Sequence, residues 1–245
     1  MPTEVTVAEH STTSVKSPLD NANLPNEMTL DVAAQFVDVA EFVGINLNPG
    51  TIEDYLGLVT ESITKSQKIE VFYHNLHTIH EYLNSSRLRT LYRNRFVLID
   101  GMPLIPLLRL AGHRVTRAQR VTYVDFIWPL LEAAEKNGWR LFVVGQSQET
   151  LDAAFPKIRQ RFADIRISGH HGYFSTAANS RESHQVIEAI NGFEADLCLV
   201  GMGTPIQEQW VYDHRMLIEA PALLVCGACM EYVAGTANPP PRWMG

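Results

Sequence analysis

The segment "LVGMGTPIQEQWVYDHRM", Leu199–Met216, runs from an apolar stretch through a turn into a helix-like stretch. The turn contains Gly201 and Gly203, and the helix-like stretch begins with Gln207 and Glu208. Glycine lets a backbone approach a ligand closely, and the start of a helix offers free N–H groups. The segment therefore predicts a strand–turn–helix unit with a candidate ligand site at the turn.

Strand-like and helix-like runs alternate along the rest of the chain. The strand-like runs are "EFVGINLN", "KIEVFYHN", "RFVLIDG", "WRLFVVG", "DIRISGHHGYF", "ADLCLVGMG" and "PALLVCGA". Near-continuous apolar strands separated by helices are typical of a parallel sheet covered on both faces. We therefore expect one Rossmann-like α/β domain over residues 29–245, with a mostly parallel sheet and helices on both faces. Residues 1–28 are rich in Ser, Thr, Pro and Asn, and we expect them to form a mobile leader.

The composition limits the functional classes. The chain of 245 residues has 46% apolar residues and a net charge of −7, which favours a globular domain and argues against a nucleic-acid partner. Its N-terminus lacks the pattern of a signal peptide, and no apolar run approaches the ~18 residues of a membrane span. Cys226 and Cys229 have C-x-x-C spacing, but no second ligand pair completes a zinc site. With Cys198 they indicate core packing in a reducing compartment, so we expect a cytoplasmic protein.

The ends of four predicted strands are the candidate site, because ligands in parallel sheets bind outside the carboxyl ends of the strands. These ends are His74-Asn75, Asp100-Gly101, Gly145–Ser147 and Gly201–Thr204. The Asp100 carboxylate fits two roles, a general base or a cap of the next helix.

The turn at Gly145–Ser147 is suited to a phosphate, because it leads from a strand into the start of a helix. Neither glycine turn matches G-x-G-x-x-G or a P-loop, and the chain contains no D-x-D pair for a divalent metal. The adjacent His170 and His171 would point in different directions on a regular element. We expect a site without metal or cofactor.

The strand ends carry a recognisable set of motifs. "GMGTPIQEQW" resembles the G-x-P-x-Q-E-x-W/F block of the WecG/TagA/CpsF family of bacterial glycosyltransferases. "HNLHTIHEY", "LIDGMPLI", "RVTYVDF", "LFVVGQSQET", "GYF" and "EYVAGTANPPPRWM" resemble its other blocks in the same order. The resemblance runs from about Phe42 to Met244.

The resemblance implies an inverting transferase of the hexosyl or N-acetylhexosaminyl type that uses a UDP-sugar and a polyprenyl-diphosphate-linked acceptor. It would act peripherally at the inner face of the cell membrane, in the synthesis of surface polysaccharide. It assigns the catalytic base to Asp100 and acceptor binding to Asn75, Tyr73 and Gln207. The expected donor-binding residues are Gly145, Gln146, Ser147, Gly201, Gly203, Gln207, Glu208 and Glu231.

The chain departs from the family pattern at several positions. Tyr73 stands where many members have Thr or Ser, Tyr123 where Gly is usual, and Glu231 where Asp is commoner. Pro239-Pro240-Pro241 replaces an Arg-Ala-Pro motif. The chain stops at Gly245, where the family continues into a basic extension, so we expect that a membrane-associating segment is missing.

Two other functions remain open from the sequence. A nucleotide-sugar sensor or inactive scaffold would share the fold, since fold alone does not define activity. An NAD(P)-dependent oxidoreductase fits the sheet pattern but lacks the glycine fingerprint. Homo-oligomerisation stays open, as does the identity of the donor sugar.

Overall fold

A computed structural model of the chain describes residues 39–42 and 44–238. The predicted leader, residues 1–28, and the Pro239–Pro241 segment lie outside the described residues. The described part consists of a small strand pair followed by a central sheet with its helices.

Six parallel strands form the central sheet of the described part, in the order β4-β3-β8-β7-β5-β6. The strands are β3 (Ile69–His74), β4 (Phe96–Ile99), β5 (Arg140–Gly145), β6 (Arg166–His170), β7 (Leu197–Gly201) and β8 (Ala222–Val225). A separate antiparallel pair, β1 (Ala40–Phe42) and β2 (Ile45–Leu47), precedes them. The prediction of a Rossmann-like α/β fold is confirmed.

Helices and a short 3-10 turn connect the strands. The helices are α1 (Ile52–Thr64), α2 (Leu76–Asn84), α3 (Ser86–Leu91), α4 (Leu104–Leu110), α5 (Tyr123–Asn137), α6 (Gln148–Arg161), α7 (Arg181–Gly192), α8 (Ile206–His214) and α9 (Cys229–Ala234), and the 3-10 turn is Arg117–Gln119.

The helices cover both faces of the sheet. The connections from β3 to β4 and from β6 through β7 to β8 run across the sheet in one direction, whereas those from β4 through β5 to β6 run in the other. With right-handed crossovers, α2, α3, α7 and α8 lie on one face and α5 and α6 on the other. The contacts agree, because Trp210 Nε1 in α8 donates to Ser183 Oγ in α7 at 3.1 Å, while α9 packs against α6 and α1 against α5.

Two local predictions differ from the structure. The run "EFVGINLN" is not one strand of the main sheet but the β1–β2 pair, because the backbone reverses near Gly44, whose φ is +74°. The helix expected after β3 ends at Asn84, and a second helix starts where the Ser85 side chain accepts from the Leu88 N–H. Ser85 thus acts as an N-cap that interrupts a continuous helical pattern.

The core lies between the sheet and its two helical layers. The strands β4, β7 and β8 are buried along their whole length, as expected for a sheet covered on both faces. Cys198, Cys226 and Cys229 are buried free thiols, which confirms the core-packing interpretation.

The exits of neighbouring strands open a crevice above the sheet. The chain leaves β3 and β7 toward the face of α2 and α8, but it leaves β8 and β5 toward the face of α9 and α6. Since these four strands are neighbours in the order β3-β8-β7-β5, successive connections diverge. Such divergence creates ligand crevices at the carboxyl edge of an open sheet.

Candidate active site

Three glycines bring the ends of β5, β7 and β8 close together. A Cβ added to Gly145 would lie 2.2 Å from Gly201 O, and one added to Gly201 would lie 2.4 Å from Gly227 O. Neither distance is compatible with a side chain, so the packing of the strand ends requires glycine at both positions. Gly203 is different, since its φ is +82° and an added Cβ would meet nothing within 4 Å.

The first cavity, of about 630 Å³, lies over the ends of β5, β6 and β7. Four of the expected donor-binding residues line it, namely Gln146, Gly201, Gly203 and Glu231. The loop 172–176 also lines it. Sequence analysis did not assign this loop, although the "GYF" segment was a signal for it.

The second cavity, of about 430 Å³, lies over the ends of β3 and β4. Tyr73, Asn75 and Asp100 line it, so the structure brings together the predicted base and two of the predicted acceptor residues. Gly227 and Ala228 line both cavities. We call these two residues the partition, because they separate the first cavity from the second.

Asp100 is a partly exposed carboxylate in the second cavity. Burial raises the pKa of Asp100 to about 6, against the opposing effects of the Asn75 hydrogen bond and the nearby Arg120 charge. The helix-cap alternative is wrong, since α4 follows Pro103 and has no side-chain cap. Asp100 is thus a carboxyl group with a raised pKa and no role as the N-cap of α4.

Asn75 orients its amide group toward Asp100. Its Oδ1 accepts from the Thr78 N–H at 2.9 Å as the N-cap of α2. Its Nδ2 therefore faces the other way and lies 3.5 Å from Asp100 Oδ2. The cap of α2 fixes which end of the amide meets the carboxylate.

Gln207 and Glu208 lie beneath the cavities, and neither residue is exposed. Gln207 Nε2 donates to Tyr73 OH at 3.2 Å, and Gln207 Oε1 accepts from the Gly227 N–H at 3.3 Å. Glu208 Oε1 accepts from Thr204 Oγ1 at 2.8 Å, and burial raises the pKa of Glu208. Gln207 therefore supports Tyr73 of the second cavity and Gly227 of the partition from below. Glu208 contacts Thr204, which lines neither cavity. Direct contact of either side chain with a ligand stays a prediction.

Gln146 and Ser147 have different positions at the end of β5. Gln146 Nε2 donates to Gly201 O at 2.9 Å and to Gly227 O at 2.6 Å, at the edge of the first cavity. Ser147 Oγ accepts from the Thr150 N–H at 3.2 Å and caps α6. Gln146 therefore braces the partition, whereas Ser147 begins the helix beside the cavity.

Tyr123 is a residue of the second cavity that sequence analysis did not assign to the site. Its hydroxyl is buried and has no hydrogen-bond partner in the described part of the chain. Its ring meets that of Tyr73 edge-on, with 6.3 Å between ring centroids. The available signal was its departure from the usual Gly of the family pattern.

Two general features of the described residues bear on the site. Residues 39–42 and 44–238 contain no group of three or more His, Cys, Asp and Glu side chains placed to hold a metal ion. Within the same residues, no helix has the length and apolar character needed to cross a bilayer.

The parallel sheet and its two adjoining cavities define an α/β protein whose carboxyl edge carries cavities of the size that small ligands occupy. The chain belongs to the glycosyl transferase WecG/TagA/CpsF family, whose sequence profile matches residues 40–245. The predicted family is confirmed.

Similar curated proteins come from Staphylococcus aureus. The chain is 28% identical over 148 residues to the N-acetylglucosaminyldiphosphoundecaprenol N-acetyl-beta-D-mannosaminyltransferase of strain NCTC 8325 / PS 47. It has the same identity over the same length to the proteins of that name in strains COL and MRSA252. Each match covers 60% of this chain and 55% of the relative, so the chain spans about half the length of the curated relatives it matches.

Proposed function

We propose that the chain is an inverting glycosyltransferase of bacterial surface polysaccharide synthesis. It moves a sugar from a UDP-sugar to a polyprenyl-diphosphate-linked saccharide, peripherally at the inner face of the cell membrane. Family membership and the names of the Staphylococcus aureus relatives support the reaction class. The adjoining cavities support a reaction between two separately bound substrates.

The first cavity is the proposed donor site. Gly203 leaves the backbone open toward ligand, and helix α6 begins near this edge, where the positive end of its dipole favours the diphosphate. Glu231 lines the same cavity and offers a carboxylate to the hydroxyls of the nucleotide sugar. The chain contains no D-x-D pair, and the transfer we propose uses no divalent metal.

The second cavity is the proposed acceptor site, and Asp100 is the proposed general base. The acceptor hydroxyl gives its proton to the Asp100 carboxylate while its oxygen bonds to the anomeric carbon. The bond from that carbon to the UDP oxygen breaks on the opposite side, so one displacement inverts the configuration. Asn75 holds the carboxylate through its Nδ2 group, and the Tyr73 and Tyr123 side chains line the acceptor pocket.

The position of Asp100 in the second cavity, with Asn75 Nδ2 3.5 Å from its Oδ2, carries the proposal, and its raised pKa agrees with it. A base is most useful when its pKa lies near the working pH, because it is then deprotonated and still accepts a proton readily. Burial raises the pKa of Asp100 to about 6. The carboxylate is therefore ionised at neutral pH and more basic than an ordinary aspartate.

Substitution of Asp100 tests the proposal. We expect Asp100→Asn to lower kcat by about 10²–10⁴-fold, the usual contribution of a positioned base, while the Kd for UDP measured by calorimetry stays unchanged. Asp152→Asn is the matched control, because Asp152 is an exposed carboxylate of α6. Near-unaltered turnover by Asp100→Asn would overturn the assignment, and UDP-sugar binding without turnover in the unaltered chain would indicate a sensor.

A further inference from the structure

Residues 101–124, which leave the second cavity and return to it, form an unusually basic stretch. Residues 101–124 contain four arginines and no Asp or Glu, in a chain with 27 acidic and 20 basic residues. The acidic total makes this local excess of positive charge more marked.

Three of the arginines are exposed and free of ion pairs among the described residues. Arg109, Arg114 and Arg117 are exposed, whereas Arg120 pairs with Asp125 at 2.7 Å. Leu110 lies among them, and 86% of it is exposed. We call Arg109, Leu110, Arg114 and Arg117 the basic surface.

The basic surface is held in a fixed conformation. Arg109 Nε donates to Val115 O at 2.7 Å, and Val115 is buried. The N–H of Thr116 donates to Gln119 Oε1 at 2.8 Å, and Thr116 is the N-cap of the 3-10 turn. His113 Nε2 lies 2.7 Å from Glu41 O and ties the loop to β1. A surface ordered in advance loses less conformational entropy when it binds.

The basic surface adjoins the mouth of the second cavity. The chain leaves that cavity at Pro103 and returns to it at Thr122, and both residues line it. Helix α4 begins at Leu104 and has seven residues, so it carries the chain roughly 10 Å from the cavity wall to Leu110.

We propose that the basic surface docks the protein on an anionic lipid bilayer. Arginines attract an anionic surface within about one Debye length, ~8–10 Å at physiological salt. An exposed leucine inserts into the boundary between head groups and acyl chains. The inference rests on the proposed function, because docking here places the acceptor cavity beside the membrane that carries a lipid-linked acceptor.

Vesicle sedimentation tests the docking surface. The unaltered chain should bind vesicles of phosphatidylcholine and phosphatidylglycerol more strongly than vesicles of phosphatidylcholine alone. The triple variant Arg109→Gln/Arg114→Gln/Arg117→Gln should lower the partition coefficient on the order of 100-fold, at about fivefold per arginine. Leu110→Ser should lower it by roughly tenfold.

Two further variants control for charge and folding. Arg93→Gln/Arg166→Gln/Arg181→Gln removes the same charge from exposed arginines elsewhere and should leave vesicle binding nearly unchanged. Arg114→Gln/Arg117→Gln keeps the Arg109 bond to Val115 and should still lower binding about 25-fold. Equal losses in the two triple variants, or equal binding to both kinds of vesicle, would overturn the proposal.

Turnover separates this proposal from the proposed function. The basic-surface triple variant should retain the kcat of the unaltered chain on a water-soluble, short-chain acceptor and lose activity only on acceptor embedded in vesicles. Absence of turnover in the unaltered chain, with selective vesicle binding intact, would overturn the transferase and leave the docking surface standing. If the basic-surface triple variant keeps both its vesicle binding and its turnover of vesicle-embedded acceptor, the docking surface is overturned and the transferase is not.

Discussion

The side-chain amide of Gln146 donates to the carbonyl oxygen of Gly227 at 2.6 Å, across the end of β7. On its other side, the Gly227 N–H donates to Gln207 Oε1 at 3.3 Å. One glutamine therefore holds each backbone group of Gly227 in the partition, Gln146 its carbonyl and Gln207 its N–H. The position of the partition depends on two side chains, one from the turn after β5 and one from α8.

Gln207→Met should weaken both substrate sites. Gln207 lines neither cavity, but it holds Gly227 and Tyr73. Its loss leaves buried polar groups unpaired, so we expect a decrease of about 1–3 kcal/mol in the free energy of unfolding. Calorimetry should show weaker UDP binding, and steady-state kinetics a higher KM for acceptor. Gln209→Met, in the same helix, is the control, and equal effects of the two variants would contradict the prediction.

Gly201 and Gly203 should respond differently to substitution. Gly201→Ala places a Cβ 2.4 Å from Gly227 O, so thermal melting should show a loss of at least ~3 kcal/mol of stability. A side chain on Gly203 meets open space but a strained φ of +82°, so Gly203→Val should cost about 1–2 kcal/mol and raise the Kd for UDP. An unchanged Kd for Gly203→Val would remove this loop from the donor site.

The rate should depend on pH through Asp100. A base must be deprotonated to act, and burial raises the pKa of Asp100 to about 6. We expect kcat/KM to be level above that pH and to fall about tenfold for each unit below it. Asn75→Ala removes a hydrogen bond that lowers this pKa and should move the midpoint upward. A midpoint near pH 4 would show that Asp100 is not the titrating base.

Stability should show the opposite pH dependence. The folded-state pKa of Asp100, about 6, lies above the ordinary value of 3.8, so between these pH values the folded state binds more protons than the unfolded state. The contribution of this carboxyl to stability is therefore lost as pH rises from about 4 to 6. Asp100→Asn should raise Tm by several degrees at pH 8 and have little effect below pH 4. A lower Tm at pH 8 would contradict the assignment of the shift to burial.

A buried ion cluster at the other end of the sheet should affect stability alone. Glu70 contacts Arg95 Nε at 2.5 Å and Arg215 Nε at 3.1 Å, and both arginines are buried. Glu70→Gln leaves two buried cations without their partner and should cost about 3–5 kcal/mol of unfolding free energy in a urea titration. Glu61→Gln breaks an exposed pair with Lys65 and should cost under ~1 kcal/mol.

The sheet was predictable because each strand is an uninterrupted apolar run. Residues 96–99 and 222–225, for example, are apolar in sequence and buried throughout in the structure. The β1–β2 pair was not predictable as a pair, because "EFVGINLN" has the apolar content of one strand. The order of the strands was also known only from the structure, because sequence patterns predict each strand but not which strands are its neighbours.

The residues of the candidate site could be predicted from the sequence, but how deeply each is buried could not. Strand ends located Asp100, Asn75 and the glycine turns, because the rule about carboxyl edges needs only the chain order. The burial of Gln207 depends on contacts with residues as distant in sequence as Tyr73. Gln207, which was predicted to bind both donor and acceptor, is buried beneath the wall that the two cavities share and lines neither of them.

The two cavities draw on separate strand ends, with β3 and β4 on one side and β5, β6 and β7 on the other. Only the segment after β8 belongs to both. Changes in the "HNLHTIHEY" and "RVTYVDF" segments can therefore reshape the pocket of one substrate while the pocket of the other keeps its walls. Proteins with this sheet can therefore change the ligand that one cavity binds and keep the ligand of the other. Residues 227 and 228 must fit both ligands.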